Sequence, residues 1–320
     1  MDDHITFIGL GAMGYGMASN LRRKMDASRT LFVYDVVRES CERFKHELEQ
    51  HGPVEIVDSP LAGVNKSRTL VTIVPKSENV RDVYLEGPGA VINAAKGDRL
   101  ILECSTIDVQ TTREVGTKVA QAGIGMYFDA PVSGGPIGAA NGALSFLLGQ
   151  SDEETVTGAR IKEVVHLMAN PEKVVFCGGL GNGLVAKICN NYLSFCNMLS
   201  IAESMSMGVR LGIDKHVLFK CISNSGGNSA TFHNFQPCPG VIPHLPSSNG
   251  FKAGFRPFMI VKDLSLGVEA GEQAGVQTTM AATALETFKK AMEDPRCRDR
   301  DATSVWLMIN GLTDEDIETS

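Results

Sequence analysis

Residues 5 to 35 read ITFIGLGAMGYGMASNLRRKMDASRTLFVYD, and the fold is decided by how this stretch is read. An apolar run, Ile5 to Ile8, meets Gly9-x-Gly11-x-x-Gly14. A helix-compatible segment follows, and a second apolar run closes on Asp35. Gly9 allows a tight turn off the strand, Gly11 lets backbone approach a pyrophosphate, and Gly14 lets helix and strand pack closely. The backbone of Gly9, Leu10, Gly11, Ala12, Met13 and Gly14 is therefore the expected phosphate site, where a helix N-terminus presents unpaired N–H groups and favours negative charge. A GxGxxG alone is a weak signal in a chain with 33 glycines. The strand before it, the helix after it and an acid about 20 residues further on make it a dinucleotide fingerprint.

Asp35 is placed to accept hydrogen bonds from the adenosine ribose hydroxyls and to repel a 2′-phosphate, which selects NAD over NADP. Arg38 is the one nearby side chain able to work against that selection. The simplest other role for Asp35 is to cap the following helix.

The 320-residue length suggests two domains. A hydrophobic content of 43% and a charged content of 21% describe an ordinary soluble globular protein. The net charge of −7 argues against a nucleic-acid partner. No apolar run reaches membrane-spanning length. The eight cysteines show no CxxC and no zinc-type His/Cys spacing, so free thiols in a reducing, intracellular compartment are expected and no metal site is. The first strand begins so near Met1 that no leader is expected, which makes the address cytoplasmic as written, with the mitochondrial matrix the other candidate.

The first half alternates apolar runs with amphipathic segments, the pattern of βαβ units on a doubly wound parallel sheet. Strands are expected at Thr6–Ile8, Leu31–Tyr34, Leu70–Val74, Leu100–Glu103, Gly125–Asp129, Leu144–Leu148 and Lys173–Cys177, with helices between them such as Val37–Gln50 and Gln110–Ala122. A long apolar helical pattern then runs from Gly183 to Leu211, too continuous for a surface helix; it reads as a buried helix joining two domains or lining a subunit interface. Helical patterns follow at His216–Ser223, Phe258–Ala274, Thr278–Met292 and Ala302–Asn310. Between Ser225 and Pro257 lies a Gly/Pro/Asn-rich stretch expected to be a lid or substrate-binding loop. The resulting division is a Rossmann domain at 1–178, an interdomain helix at 179–210, an all-α domain at 211–312 and an acidic tail at 313–320.

Three further segments carry chemistry. After an apolar strand, Asp129-Ala130-Pro131-Val132-Ser133-Gly134-Gly135-Pro136 combines consecutive backbone N–H groups with a hydroxyl, which suits a carboxylate or phosphate, though Ser-Gly-Gly-Pro is also simply a loop. Within the long helix, Lys187 and Asn191 stand four apart on one face. A lysine there is costly to bury without a partner, and burial of the kind that lowers a lysine's pKa would make it a usable general base. Snorkelling at a helix end is the plain alternative for Lys187. Lys262 and Asp263 sit together in another apolar helix, where a surface ion pair is the bland reading.

These pieces, in this order, resemble the β-hydroxyacid dehydrogenase family over roughly Ile5 to Gly311. The resemblance rests on CSTID (Cys104–Asp108), DAPVSGGPIGAANGALSFLLG (Asp129–Gly149), AKICNN (Ala186–Asn191) and PCPGVIPHLPSSNGFKAGF followed by MIVKDL (Pro237–Leu264). It implies NAD-dependent oxidation of a small 3-hydroxy acid to its semialdehyde. The expected substrate is 3-hydroxyisobutyrate, from valine breakdown; the alternative is reduction of another small aldehyde acid of the tartronate or succinic semialdehyde type. A non-catalytic dinucleotide-binding paralogue is the third possibility, against which the presence of Lys187 counts. By resemblance, Lys187 is the general acid/base, Ser133, Gly134 and Gly135 cradle the substrate carboxylate, and Asn191 orients the substrate. Val74, Pro75, Asn79 and Thr106 fall where the family lines the nicotinamide half of the cofactor, and Lys262 matches a lysine near cofactor and substrate, supported by Asp263. The family's bulkier residues, including a Trp, are replaced here by the small loop Ser225–Thr231, expected to wall the substrate pocket. A homodimer or homotetramer is expected from the long apolar helix.

Overall fold

The computed structural model describes residues 3–151, 154–252, 254–313 and 316. The chain falls into two units, divided after Lys187.

The first unit alternates strands and helices: β1 Ile5–Ile8, α1 Gly14–Lys24, β2 Leu31–Tyr34, α2 Arg38–Leu48, β3 Val54–Ile56, α3 Pro60–Val64, β4 Thr69–Thr72, α4 Ser77–Tyr84, β5 Leu100–Glu103, α5 Val109–Gln121 and β6 Met126–Asp129. These six strands form one parallel sheet in the order β3-β2-β1-β4-β5-β6. The order reverses direction between β1 and β4, which opens a crevice beyond their C-terminal ends. Helices cover both faces, so the inner strands β1, β4 and β5 are buried at every position and their alternation only sorts residues between two cores. Ile5, Phe7, Leu100 and Leu102 pack with Met17, Leu21, Phe44 and Leu48 on one side. Ile8, Leu70 and Ile101 pack with Val80, Tyr84, Val115 and Val119 on the other.

The doubly wound sheet is therefore as expected, but two of the expected strands are not in it. Val132–Ser133 (β7), Leu144–Leu148 (β8) and Ala169–Phe176 (β9) make a separate three-stranded sheet, with β7 antiparallel to β8 and β8 parallel to β9. The short helix α6, Gly135–Ala140, links β7 to β8, and α7, Val156–Val165, links β8 to β9. Strand β3 was not anticipated; at three residues on a sheet edge it carries too little alternation to stand out.

Helix α8, Asn182–Arg210, contains the division between the units. The second unit adds α9 Lys215–Ser223, α10 Ala230–Asn234, α11 Pro257–Ala274, α12 Thr279–Glu293 and α13 Val305–Asn310. Gly275, at φ +69°, ends α11 in the left-handed conformation a glycine adopts without strain. One core joins Phe195, Leu199, Ile260, Leu264, Ala284 and Phe288. A second contains Phe232, Cys238 and Phe251 beside Trp306. The stretch from Ser225 to Pro257 is thus no open lid along its length: it supplies a helix and four buried side chains, Phe232, Cys238, Val241 and Phe251, to a core. Of the acidic tail, only Thr313 and Asp316 are among the described residues; the rest of that expectation lies outside them.

Candidate functional site

The chain leaves β1 through Gly9, whose φ of +96° is one that L side chains rarely adopt. A Cβ there would lie 2.0 Å from the Ile73 carbonyl oxygen, and one on Gly14 would lie 1.9 Å from the Gly9 oxygen. Both glycines are demanded by the protein's own packing. At Gly11, in contrast, a Cβ would meet no atom within 4 Å. Its bareness serves no internal contact and leaves the face of the turn open. Helix α1 begins after Met13 with no side-chain cap, and Arg22, Arg23 and Lys24 complement the dipole at its other end. An anion fits such an N-terminus. Leu10, Ala12 and Met13 complete the turn. On this geometry the turn suits the pyrophosphate of a dinucleotide.

The Asp35 carboxylate accepts from the Leu10 N–H through Oδ2 at 2.6 Å and from the Val37 N–H through Oδ1 at 2.8 Å. It therefore ties the glycine turn to the end of β2, and each oxygen keeps a second lone pair for a ribose hydroxyl. It is not the cap of α2, whose N-cap is Val37 without a side-chain bond. Arg38 faces Asp58 at 3.1 Å and Glu42 at 3.9 Å, so carboxylates already occupy the guanidinium.

Val74 and Pro75 follow β4, Asn79 lies in α4, and Thr106 follows β5. The two loops are joined where Val74 donates its N–H to Ser105 Oγ at 2.8 Å. Asp108 caps α5 through the Thr111 N–H at 2.7 Å and accepts from Ser77 Oγ at 2.6 Å, which draws α4 and α5 together. Ser105 and Asp108 lie in the CSTID stretch, where the sequence assigns them no structural role, although an Asp immediately before a helical pattern is a cap signal.

Ser133 ends β7, and Gly134 and Gly135 follow with φ of +134° and +64°. The loop runs into α6, which is fastened to α1: Asn20 Nδ2 donates to the carbonyls of Ala139 at 2.8 Å and Ala140 at 2.9 Å. A Cβ on Gly16 would lie 2.8 Å from the Ala139 backbone. The Ser-Gly-Gly segment and the helix behind the glycine turn are thus held to one another.

Lys187 is 8% exposed and stands in the second turn of α8, at the end of the first unit. The start of α8 is capped from a distance by the fully buried Asp129, a residue to which the sequence alone assigns no role. Its Oδ1 accepts from the Gly181 N–H at 2.7 Å and its Oδ2 from the Leu184 N–H at 2.9 Å. Burial pushes the Asp129 carboxyl above the usual range, and these backbone donors offset only part of that.

In the second unit, Asn191, Asp263 and Lys262 form a group of their own. Asn191 Nδ2 donates to Asp263 Oδ2 at 2.8 Å, and Lys262 Nζ lies 3.2 Å from Asp263 Oδ1. Asn191 and Asp263 are buried while Lys262 is half-exposed, so this is more than a surface ion pair. In the small-residue loop, Ser225 to Asn228 are exposed, but Ser229 Oγ caps α10 by accepting from the Phe232 N–H at 3.1 Å. A bulky residue at Ser229 would therefore cost a helix cap, about 1 kcal/mol, besides any effect on a pocket. Among the described residues, no group of three or more His, Cys, Asp or Glu side chains is placed to hold a metal ion.

Comparison with known proteins covers both units. The family model for the NAD binding domain of 6-phosphogluconate dehydrogenase matches residues 4–179. The family model described as NAD-binding of NADP-dependent 3-hydroxyisobutyrate dehydrogenase matches residues 181–309. Mitochondrial 3-hydroxyisobutyrate dehydrogenase of Mus musculus is 34% identical over 285 residues, covering 89% of this chain and 81% of its own. The NAD-dependent L-serine dehydrogenase of Pseudomonas aeruginosa is 34% identical over 285 residues, covering 89% of this chain and 91% of its own. The structure of Mycobacterium tuberculosis 3-hydroxyisobutyrate dehydrogenase with L-serine superposes with a TM-score of 0.84 at 31% identity, covering 97% of this chain and 99% of that one.

Proposed function

The chain belongs to the β-hydroxyacid dehydrogenase family of NAD(P)-dependent oxidoreductases, and from that premise we propose that it oxidises 3-hydroxyisobutyrate to methylmalonate semialdehyde, a step of valine catabolism, with NAD as its cofactor. The observation that carries the reading is Lys187, a lysine only 8% exposed within the segment 181–309 that matches 3-hydroxyisobutyrate dehydrogenase.

Oxidation of the alcohol removes a proton from oxygen and a hydride from carbon. Bound NAD supplies the hydride acceptor. Lys187, as the neutral amine, takes the hydroxyl proton; in the reverse direction its ammonium returns that proton to the developing alkoxide. The Ser133 hydroxyl and the N–H groups of Gly134 and Gly135 hold the substrate carboxylate, and Asn191 orients the hydroxyl. The glycine turn would hold the cofactor's pyrophosphate and Asp35 its adenosine ribose, while Val74, Pro75, Asn79 and Thr106 would line its nicotinamide half. Lys262, steadied by Asp263, adds a positive charge beside cofactor and carboxylate.

L-Serine is the second reading, because a 34% identical relative is named for that substrate. It is also a 3-hydroxy acid, but it places an ammonium where 3-hydroxyisobutyrate has a methyl. A wall that accepts the methyl leaves the ammonium without partners, so discrimination should be large. With NAD, kcat/KM for 3-hydroxyisobutyrate is expected to exceed that for L-serine by at least about tenfold. The opposite ranking would transfer the proposal to L-serine, and a preference for tartronate or succinic semialdehyde in the reductive direction would overturn both.

For cofactor choice, Asp35→Asn is expected to raise the ratio of kcat/KM with NADP to that with NAD by about tenfold, since it removes the charge facing a 2′-phosphate. A wild-type enzyme that already prefers NADP would refute Asp35 as the selector. The proposal includes a homodimer or homotetramer, supported by Leu193 and Met207, which stand 62% and 61% exposed on α8. A reducing intracellular compartment accompanies it, supported by the free cysteines. No helix among the described residues is long and apolar enough to cross a membrane.

A further inference from the structure

We infer that Asp129 is a positioning residue: its buried carboxylate fixes the first turn of α8 and thereby sets where Lys187 stands relative to the Ser133–Gly135 cradle. The inference rests on the proposed role of Lys187 as the base.

Helices usually satisfy their leading N–H groups with a local Ser, Thr, Asp or Asn. At α8 the residue before the helix is Gly181, at φ +89°, and the acceptor comes instead from the end of β6. One carboxylate holds both the Gly181 and the Leu184 N–H groups, so it fixes the direction of the helix axis as well as its starting point. Space has been made for this. A Cβ on Gly149 would lie 1.8 Å from Asp129 Oδ1, and one on Gly183 would lie 2.9 Å from Oδ2 and 2.3 Å from the Leu147 oxygen. Leu184, fully buried, plugs the same turn into the sheet's second core.

Lys187 is three residues beyond Leu184, about 4.5 Å along the helix axis. Ser133 is four residues beyond Asp129 on the other chain segment. A single side chain therefore joins the strand leading to the carboxylate cradle with the turn leading to the base. A misplacement of about 1 Å between reacting groups can cost about 100-fold in rate.

The test is Asp129→Asn, made alone and with Lys187→Ala, with 3-hydroxyisobutyrate and NAD as substrates. The asparagine keeps one acceptor but turns an NH₂ group toward a backbone N–H. Alone it is expected to lower kcat by about 10- to 100-fold while the NADH dissociation constant stays within about twofold. In the Lys187→Ala background it is expected to lower the residual rate by less than about twofold, because a base that is absent cannot be misplaced. Asp129→Ser, which leaves room for a water, serves as the second variant if the asparagine protein does not fold. A kcat within about threefold of wild type, full additivity with Lys187→Ala, or a parallel loss of NADH affinity would each overturn the inference. Full turnover by Lys187→Ala alone is a different failure: it refutes the base assignment, whatever Asp129→Asn does.

Discussion

Lys187→Ala is expected to lower kcat by about 10²–10⁴-fold and to leave the NADH dissociation constant within about twofold of wild type. The asymmetry follows from where the residues stand. The glycine turn, Asp35 and the uncapped start of α1 are built from residues 9–14, 35 and 37, far along the chain from Lys187. Removing the amine deletes the proton acceptor and leaves the phosphate site alone. Lys187→Arg is expected to be as inactive, because a guanidinium remains protonated and cannot accept the hydroxyl proton. Chemical rescue makes the test specific to proton transfer. Exogenous methylamine should restore part of the rate to Lys187→Ala, where the missing side chain leaves room, and none to Lys187→Arg. A loss below about tenfold would place the base elsewhere.

What the sequence made legible depended on how local the physics was. The β1–α1–β2 unit could be read because strand, turn and helix each impose a residue type within a few positions, and Gly9 and Gly14 are required by contacts inside that unit. Strand β3 was missed because Val54–Ile56 is short and half-exposed, so no period establishes itself. The segments Leu144–Leu148 and Lys173–Cys177 read as strands, yet nothing along the chain says which edge they join; that is set by pairing of the first with Val132 and Ser133 and of the second with the first. The same limit hid the polar contacts. Asp129 reaches N–H groups 52 and 55 residues away, and Asn191 meets Asp263 across 72. Each of those residues is ordinary in its own neighbourhood. The stretch from Ser225 differs: its Gly, Pro and Asn content masks Phe232, Cys238, Val241 and Phe251, whose burial depends on a core assembled from distant helices.

The three glycines of the turn are expected to separate into two behaviours, although their spacing presents them as one motif. At Gly14 a methyl group would lie 1.9 Å from a backbone oxygen and 2.9 Å from Ile73 Cγ2, so β1 and α1 must move apart to admit it. Overpacking of this kind costs about 1–3 kcal/mol. In a unit of this size, Gly14→Ala should therefore lower Tm by roughly 2–12 °C, and the displaced helix end should raise the NADH dissociation constant by about 100-fold or more. Gly11→Ala meets nothing within 4 Å and should leave Tm within about 1 °C of wild type. Its methyl instead occupies the space through which a pyrophosphate would approach the backbone, so NADH should bind at least about tenfold more weakly. Thermal melts and NADH fluorescence titrations on the two variants read both quantities. If Gly11→Ala binds NADH as the wild type does, the phosphates do not pass over this turn, and the open face at Gly11 has some other use.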